Sequence, residues 1–261
     1  MRRAWSHDEL MLAMNLYCQL PFGKLHARNR EVIALASALN RTPSSVAMKL
    51  CNLASLDPVH QQRGIRGLSK VSAADRGIWD AFHSDWNGLA AESELLRDTI
   101  FASGQSKSSV DDLAIDSPLD TSAFVGESET VRPQKVRLAQ RFFRKAVVSS
   151  YDYRCCITQI AVGSLLVASH IVPWARSPTL RANPRNGLCL SRLHDAAFDR
   201  GLVTIDEEHR LVLSTELRDA TTNAVLEAAF APFESKTINL PQKFRPESAF
   251  LAIHRETVFR G

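Results

Sequence analysis

The chain has 261 residues and a net charge of +4, with 45% hydrophobic and 23% charged residues, which fits a globular protein of one large or two modest domains. It contains no run of 18 apolar residues and no apolar segment after Met1, so we expect neither a membrane span nor a signal peptide. The five cysteines are odd in number and form no C-x-x-C pair, so we expect reduced, mostly buried thiols in a cytoplasmic protein and no four-cysteine zinc site.

The amino-terminal third is predicted to be helical. Ser6 followed by Glu9 has the pattern of a capping box for a first helix. A second helix is expected over residues 29–39, and Thr42 followed by Pro43 is a favoured start for a third. Helix, short turn and capped helix with a polar outer side are typical of a helix-turn-helix. The text WSHDEL…IALASALNRTPSSVAMKL resembles Myb-like and homeodomain-like modules.

The third helix and the turn before it supply candidates for DNA contact. A recognition helix presents polar and basic side chains to base edges and phosphates. The candidates are Arg41, Ser44, Ser45, Lys49 and Asn52, of which the last three are expected to face outward. The alternative is a plain three-helix bundle that packs against other elements or dimerises.

The composition changes near the middle of the chain. A further helix is predicted over residues 72–86. Residues 98–130 are then rich in Ser, Thr, Asp and Gly, and Lys107 is their only basic residue. This composition predicts a flexible acidic linker between a helical domain of residues 1–97 and a second domain of residues 131–261. A tether that shields a basic cleft is the less favoured alternative.

The charge reverses after the linker. Leu138, Phe142 and Ala146 are spaced to form one buried stripe on a helix, with a basic face opposite. That face predicts phosphate contacts through Arg137, Arg141 and Arg144. A solvated basic helix is the alternative. The basic residues of the segment are Arg132, Lys135, Arg137, Arg141, Arg144, Lys145 and Arg154.

The segment 165–202 contains the most informative pattern, LLVASHIVPWARSPTLRANPRNGLCLSRLHDAAFDRGL. Short apolar runs at residues 165–167 and 188–190, followed by a helical stretch at 193–199, predict a strand–loop–strand–helix unit. Three polar residues stand in it, each in a distinctive context: His170 in ASHIVPW, Asn186 in NP-x-NGL and His194 in LHDAAFD-x-GL. Together they closely resemble the HNH endonuclease family, over residues 131–261.

The remaining chain is predicted to flank this unit. Residues 202–206 and 210–213 alternate in polarity like the two strands of a β-hairpin. Helical stretches are expected near residues 221–231 and after Pro246. With the amino-terminal helices, the fold class is therefore α+β: a helix-turn-helix-like domain and, as the resemblance implies, a ββα-metal nuclease domain with flanking helices.

The resemblance implies a role for each residue of the motif. His170 would be the general base that activates water, since an imidazole with a pKa of about 6.5 can take a proton near neutral pH. Asn186 would brace the loop, and His194 would bind Mg²⁺ or Mn²⁺. Each histidine could instead be structural.

The second metal ligand is an open question in the sequence. Many family members carry Asp, Glu or His directly before the base, whereas this chain has Ser169 there. Asp199 is the first choice for a replacement ligand, and Asp195 is its competitor. The alternative role for Asp199 is to cap the turn at Gly201.

The function implied is a metal-dependent DNA endonuclease of restriction or defence type that leaves 5′-phosphate and 3′-hydroxyl ends. A palindromic target would favour a homodimer. One alternative is a DNA-binding or sensor protein with a degenerate nuclease domain, which Ser169 keeps open. Another is an RNA nuclease, which the lack of aromatic RNA-binding signatures disfavours.

Overall fold

The computed structural model describes residues 3–64, 71–102 and 131–261. These ranges are rich in helix and contain two small antiparallel sheets. None of the helices in these ranges is long and apolar enough to cross a membrane. Most of the predicted linker lies outside the described residues, but its first part, residues 98–102, is the end of a helix.

The amino-terminal helices begin where local capping signals predict. Ser6 and Glu9 complete the predicted capping box, and the Thr42 side chain accepts a hydrogen bond from the Ser45 amide at the start of the third helix. The helices up to residue 150 are α1 (His7–Gln19), α2 (Arg30–Ala38), α3 (Pro43–Ala54), α4 (Pro58–Gln62), α5 (Ala73–Ser84), α6 (Trp86–Ala102) and α7 (Val131–Ser150).

Helix α7 lies between two hydrophobic cores. Leu138, Phe142 and Ala146 form the predicted buried stripe, and they pack into the core of the amino-terminal helices. Phe143 and Val147 belong to the second core, which includes the strands of the carboxyl-terminal half. The predicted boundary assigned α7 to the second domain alone, whereas the structure shows α7 shared by both cores.

The second core holds the predicted strand–loop–strand–helix unit. Strand β1 (Leu166–His170) pairs antiparallel with β2 (Gly187–Ser191), and helix α8 (Arg192–Asp199) follows directly. Gly201 adopts a φ of +72° just after α8, a conformation that glycine accepts readily. The predicted hairpin is β3 (Val203–Ile205) with β4 (Leu211–Leu213). The last helices are α9 (Thr215–Ala220), α10 (Ala224–Phe230) and α11 (Ser248–Thr257).

The carboxyl-terminal segment is also tied to the end of α1. Lys243 is fully buried, and its ammonium donates to the carbonyls of Tyr17, Cys18 and Leu20. Carbonyls at the end of a helix lack partners within the helix, so a buried cation there satisfies them. The amino- and carboxyl-terminal halves are therefore interlocked through Lys243 as well as through α7.

The predicted outward orientation of Lys49 and Asn52 is wrong. Lys49 is only 8% exposed, and its ammonium is paired with the buried carboxylate of Asp75 on α5. Asn52 donates to the same carboxylate at 3.3 Å. Because Asp75 comes from a helix that follows later in the chain, the local pattern of α3 could not reveal the pairing.

The other candidates at this helix have different surroundings. Arg41 pairs with Glu9 at 2.7 Å and lies 4.1 Å over the ring of Trp5, so its guanidinium stabilises the contact between α1 and the turn before α3. Ser45 is half-buried, while Ser44 is exposed. The solvent side of α3 also carries Met48 and Cys51 and, within its range, no cation.

Candidate nuclease site

His170 is the last residue of β1, and its imidazole is held on several sides. Nε2 lies 2.9 Å from the carbonyl oxygen of Arg181. The ring stacks on Phe143, with centroids 3.9 Å apart and planes 9° from parallel, and meets the edge of Trp174 at 5.3 Å. Burial lowers the pKa of His170 to about 4, although the Arg181 carbonyl opposes the shift. The imidazole is therefore neutral at pH 7.

The contact with Arg181 also fixes where the proton of the neutral ring lies. A carbonyl oxygen only accepts hydrogen bonds, so Nε2 of His170 carries the hydrogen and Nδ1 carries a lone pair. Among the described residues, nothing is hydrogen-bonded to Nδ1, and the residue is partly exposed. A basic nitrogen is thus left open beside the end of β1.

Asn186 braces the chain on both sides of the loop that follows His170. It is 1% exposed, and its Oδ1 accepts from the amide of Val172 at 2.8 Å. Its Nδ2 donates to the carbonyls of Val172 at 3.2 Å and Leu180 at 3.3 Å. A side-chain amide can donate and accept at once, so Asn186 holds Val172 and Leu180 together through a single side chain.

Gly187 is a residue of this site that the sequence pattern does not single out. It lies opposite His170 in the register of the two strands. A Cβ at this position would lie 2.3 Å from Cγ2 of Val147 and 3.0 Å from Cζ of Phe143. The absence of a side chain therefore lets α7 approach the sheet and lets Phe143 stack on His170.

His194 is placed on α8 as predicted, but both of its ring nitrogens are used inside the protein. Nε2 donates to the carbonyl of Ala229 at 3.0 Å, and Nδ1 accepts from the hydroxyl of Ser191 at 2.8 Å. The ring also contacts Phe230 of α10 at 4.7 Å. Burial lowers its pKa. In this arrangement His194 is a neutral residue that ties α8 to α10.

The two aspartates of α8 lie one helical turn apart. Asp199 is exposed at the end of α8, yet desolvation by the surrounding chain raises its pKa to about 6, and the charge of Asp195 adds to the rise. Burial also raises the pKa of Asp195, while the nearby hydroxyl of Ser169 opposes it. Ser169 is buried on β1, and its hydroxyl makes no well-formed hydrogen bond to a described residue. Asp195 and the unsatisfied hydroxyl of Ser169 thus lie together at the contact between α8 and β1, and Asp199 adds a second carboxylate one turn further along α8.

This carboxylate pair fits a divalent cation in part. Mg²⁺ commonly takes one or two protein carboxylates and completes its shell with water and substrate phosphate oxygens. A cation would relieve the repulsion that raises the pKa of Asp199. No group of three or more His, Cys, Asp or Glu residues suited to a metal occurs within the described ranges, so the pair would need those outside oxygens.

The three arginines predicted on the basic face of α7 have different environments. Arg137 is exposed. Arg141 pairs with the buried Glu94 and with Asp98 of α6. Arg144 donates to the carbonyl of Leu166 on β1 at 2.9 Å. The two latter side chains therefore connect α7 to its neighbours, which the charge pattern alone did not indicate.

Comparison with known proteins gives a family assignment for part of the chain. A family model described as "HNH endonuclease" matches residues 155–206, which include His170, Asn186, His194 and both aspartates of α8. Among solved structures, a "Modification dependent TagI restriction endonuclease" is similar, with 17% identity and a TM-score of 0.32 over 46% of this chain and 38% of that chain. This chain thus spans well under half of that protein. No curated protein sequence matches the chain.

The strand–loop–strand–helix unit and its histidine and asparagine residues define a nuclease domain. The family match specifies which one: residues 155–206 are an HNH endonuclease domain, as the sequence resemblance predicted.

Proposed function

We propose that this protein hydrolyses DNA phosphodiester bonds with the help of Mg²⁺ or Mn²⁺ and that His170 is the general base. One observation carries the proposal. His170 donates through Nε2 to a backbone carbonyl, and its partly exposed ring has no hydrogen bond at Nδ1 from any residue that the structure describes. His194 and His254 also lie with Nε2 at a carbonyl, but their Nδ1 atoms accept from hydroxyls.

The proposed step is the removal of a proton from water by Nδ1 of His170. The oxygen of that water forms a bond to phosphorus while its proton moves to Nδ1. The P–O3′ bond breaks, and the departing 3′-oxygen takes a proton from solvent to become the 3′-hydroxyl end. The Nε2–H bond to Arg181 orients the ring and stabilises the imidazolium that forms. A pKa of about 4 makes the free enzyme a weak base, but a phosphate anion beside the ring raises that pKa towards the useful range.

Asp195 and Asp199 are the residues we propose to hold the metal. A bound divalent cation would stabilise the negative charge that develops on the phosphate. Metal binding by His194, as predicted from the sequence, would require loss of its hydrogen bond to Ala229 or Ser191. We therefore propose that His194 holds α8 in place. Ser169 and His170 are successive strand residues, so their side chains point to opposite faces of the sheet. A phosphate that reaches both the metal pair beside Ser169 and the base His170 therefore lies at the end of β1.

The proposal extends to DNA contact and to the role of the amino-terminal helices. Arg137, exposed on α7, is proposed to contact DNA phosphates. The amino-terminal helices are proposed to pack against α7 and not to recognise DNA through Lys49 and Asn52, because both are paired with Asp75. A restriction or defence role and a homodimer stay predictions from the resemblance.

The test is incubation of the purified protein with supercoiled plasmid, methylated and unmethylated, in Mg²⁺, Mn²⁺ or EDTA. We expect cleavage with either metal, none with EDTA and none with the His170→Ala variant. The second candidate function is a DNA-binding or sensor protein, favoured by the occupied nitrogens of His194. Binding of the plasmid without cleavage under every condition would support that function and refute ours.

A further inference from the structure

The loop that supplies the partner of His170 is fixed from outside the nuclease domain. Residues Pro178–Leu180 form a short 3-10 turn that leads into Arg181. Asn87, the second residue of α6, reaches this turn from the helical half. Its Nδ2 donates to the carbonyl of Pro178, and its Oδ1 accepts from the amide of Ala182 at 2.8 Å.

These two bonds bracket the carbonyl that His170 uses. Pro178 and Ala182 stand on either side of Arg181, whose oxygen lies 2.9 Å from Nε2 of His170. Asn87 is only 7% exposed and Ala182 is fully buried, so water cannot easily replace the contacts. A buried donor and acceptor that lose their partners carry the full cost of desolvation, which keeps Asn87 and the turn together.

A second anchor holds the same turn from within the nuclease domain. Asn186 donates to the carbonyl of Leu180 at 3.3 Å. Asn186 therefore holds the middle of the segment, whereas Asn87 holds its two ends, residues 178 and 182, against α6. The position of the Arg181 carbonyl is therefore determined jointly by the nuclease domain and by a helix that precedes it by about 90 positions in sequence.

We propose that Asn87 is a positioning residue for the general base: by holding residues 178–182, it keeps the Arg181 carbonyl on Nε2 of His170 and so keeps Nδ1 as the accepting nitrogen. This inference rests on the proposed function of His170. Loss of Asn87 frees the turn, and the imidazole then samples the tautomer with hydrogen on Nδ1, which cannot take a proton from water. The helical half is in this way a part of the catalytic unit.

The test compares variants of two buried side chains on α6. Asn87→Leu removes both hydrogen bonds at similar volume. Ser93→Ala, the matched control, removes a fully buried hydroxyl that bonds Asn15 and the Ala90 carbonyl and has no hydrogen bond to the turn. Asn87→Asp keeps an oxygen that accepts from Ala182. Single-turnover cleavage and the ¹⁵N signals of His170 in imidazole-labelled protein are measured for each.

We expect one hydrogen-bonded tautomer of His170 in the wild type and in Ser93→Ala, and a mixture in Asn87→Leu. The cleavage rate of Asn87→Leu should fall by about tenfold to 100-fold with little change in DNA affinity, because small misplacements of catalytic groups carry costs of that order. Asn87→Asp should recover part of both properties. If Asn87→Leu fails to fold, Asn87→Asp still has to show an altered His170 signal.

The inference is overturned if Asn87→Leu, or Asn87→Asp when the former does not fold, retains the His170 signal and the cleavage rate of Ser93→Ala. Failure of the proposed function looks different. In that case the wild type does not cleave DNA at all, while the ¹⁵N signals continue to report whether Asn87 positions the ring.

Discussion

Substitution of Gly187 by alanine is predicted to disturb both the fold and the candidate base. The added Cβ would lie 2.3 Å from Val147 and 3.0 Å from Phe143, whereas ordinary carbon contacts begin at about 3.5 Å. Both neighbours are buried on α7, so α7 has to move or the side chains have to leave their rotamers. Overpacking of this kind costs about 1–3 kcal/mol. For a chain of this size, that corresponds to a fall in melting temperature of about 2–12 °C.

The same substitution should slow cleavage, because Phe143 is the ring on which His170 stacks. Thermal unfolding by circular dichroism and single-turnover plasmid cleavage measure the two effects. Gly163→Ala is the matched control, since a Cβ there has no heavy atom within 4 Å. A Gly187→Ala variant with the melting temperature and rate of the control would refute the close approach of α7 to β2.

Three further predictions follow from the site. Asp195→Asn and Asp199→Asn should each raise the Mn²⁺ concentration needed for cleavage at little cost in stability, and an unchanged Mn²⁺ requirement in both variants would rule out the carboxylate pair as the metal site. His194→Ala should instead lower the free energy of unfolding by about 1–3 kcal/mol, because the Ser191 hydroxyl and the Ala229 carbonyl lose their partner. The folded pKa of His254, like that of His170, lies near 4, below the ordinary value of about 6.5. The unfolded chain therefore binds more protons, and both histidines lower stability as pH falls from about 6.5 to about 4. In urea unfolding, His254→Gln should be less stable than wild type at pH 7 but should lose less free energy of unfolding between pH 7 and pH 4.5, and an equal loss would contradict the lowered pKa of His254. Arg137→Ala should reduce the salt dependence of DNA binding by about one phosphate contact without loss of stability. Arg141→Ala should instead lower the melting temperature, because the buried Glu94 loses its ion pair with Arg141. The reverse result would place the DNA surface elsewhere.

The parts of the fold that the sequence predicts are those set by neighbouring residues. Ser6 and Thr42 start helices because a capping side chain bonds an amide three positions on. The order of β1, β2 and α8 follows from short apolar runs and the glycine after α8. The same local pattern places His170 at the end of a strand and Asn186 just before the next.

What the sequence does not predict depends on partners far along the chain. Lys49 has the spacing of an exposed residue but meets Asp75 of α5. His194 has the spacing of a family ligand, yet its partner Ala229 lies on α10. Asn87 carries no motif, because its role depends on a turn that the fold brings beside α6. No local periodicity encodes such pairings, since each results from how whole elements pack.

The most direct test of the central claim is single-turnover cleavage of plasmid DNA in ¹⁸O-labelled water with Mn²⁺, followed by analysis of the product ends. The account predicts 5′-phosphate ends that carry one ¹⁸O atom and unlabelled 3′-hydroxyl ends from the wild-type protein, because water is the nucleophile. It predicts no product from His170→Ala in the same time. Unlabelled 5′-phosphates, 3′-phosphate ends, or labelled ends formed by His170→Ala within tenfold of the wild-type rate would contradict it.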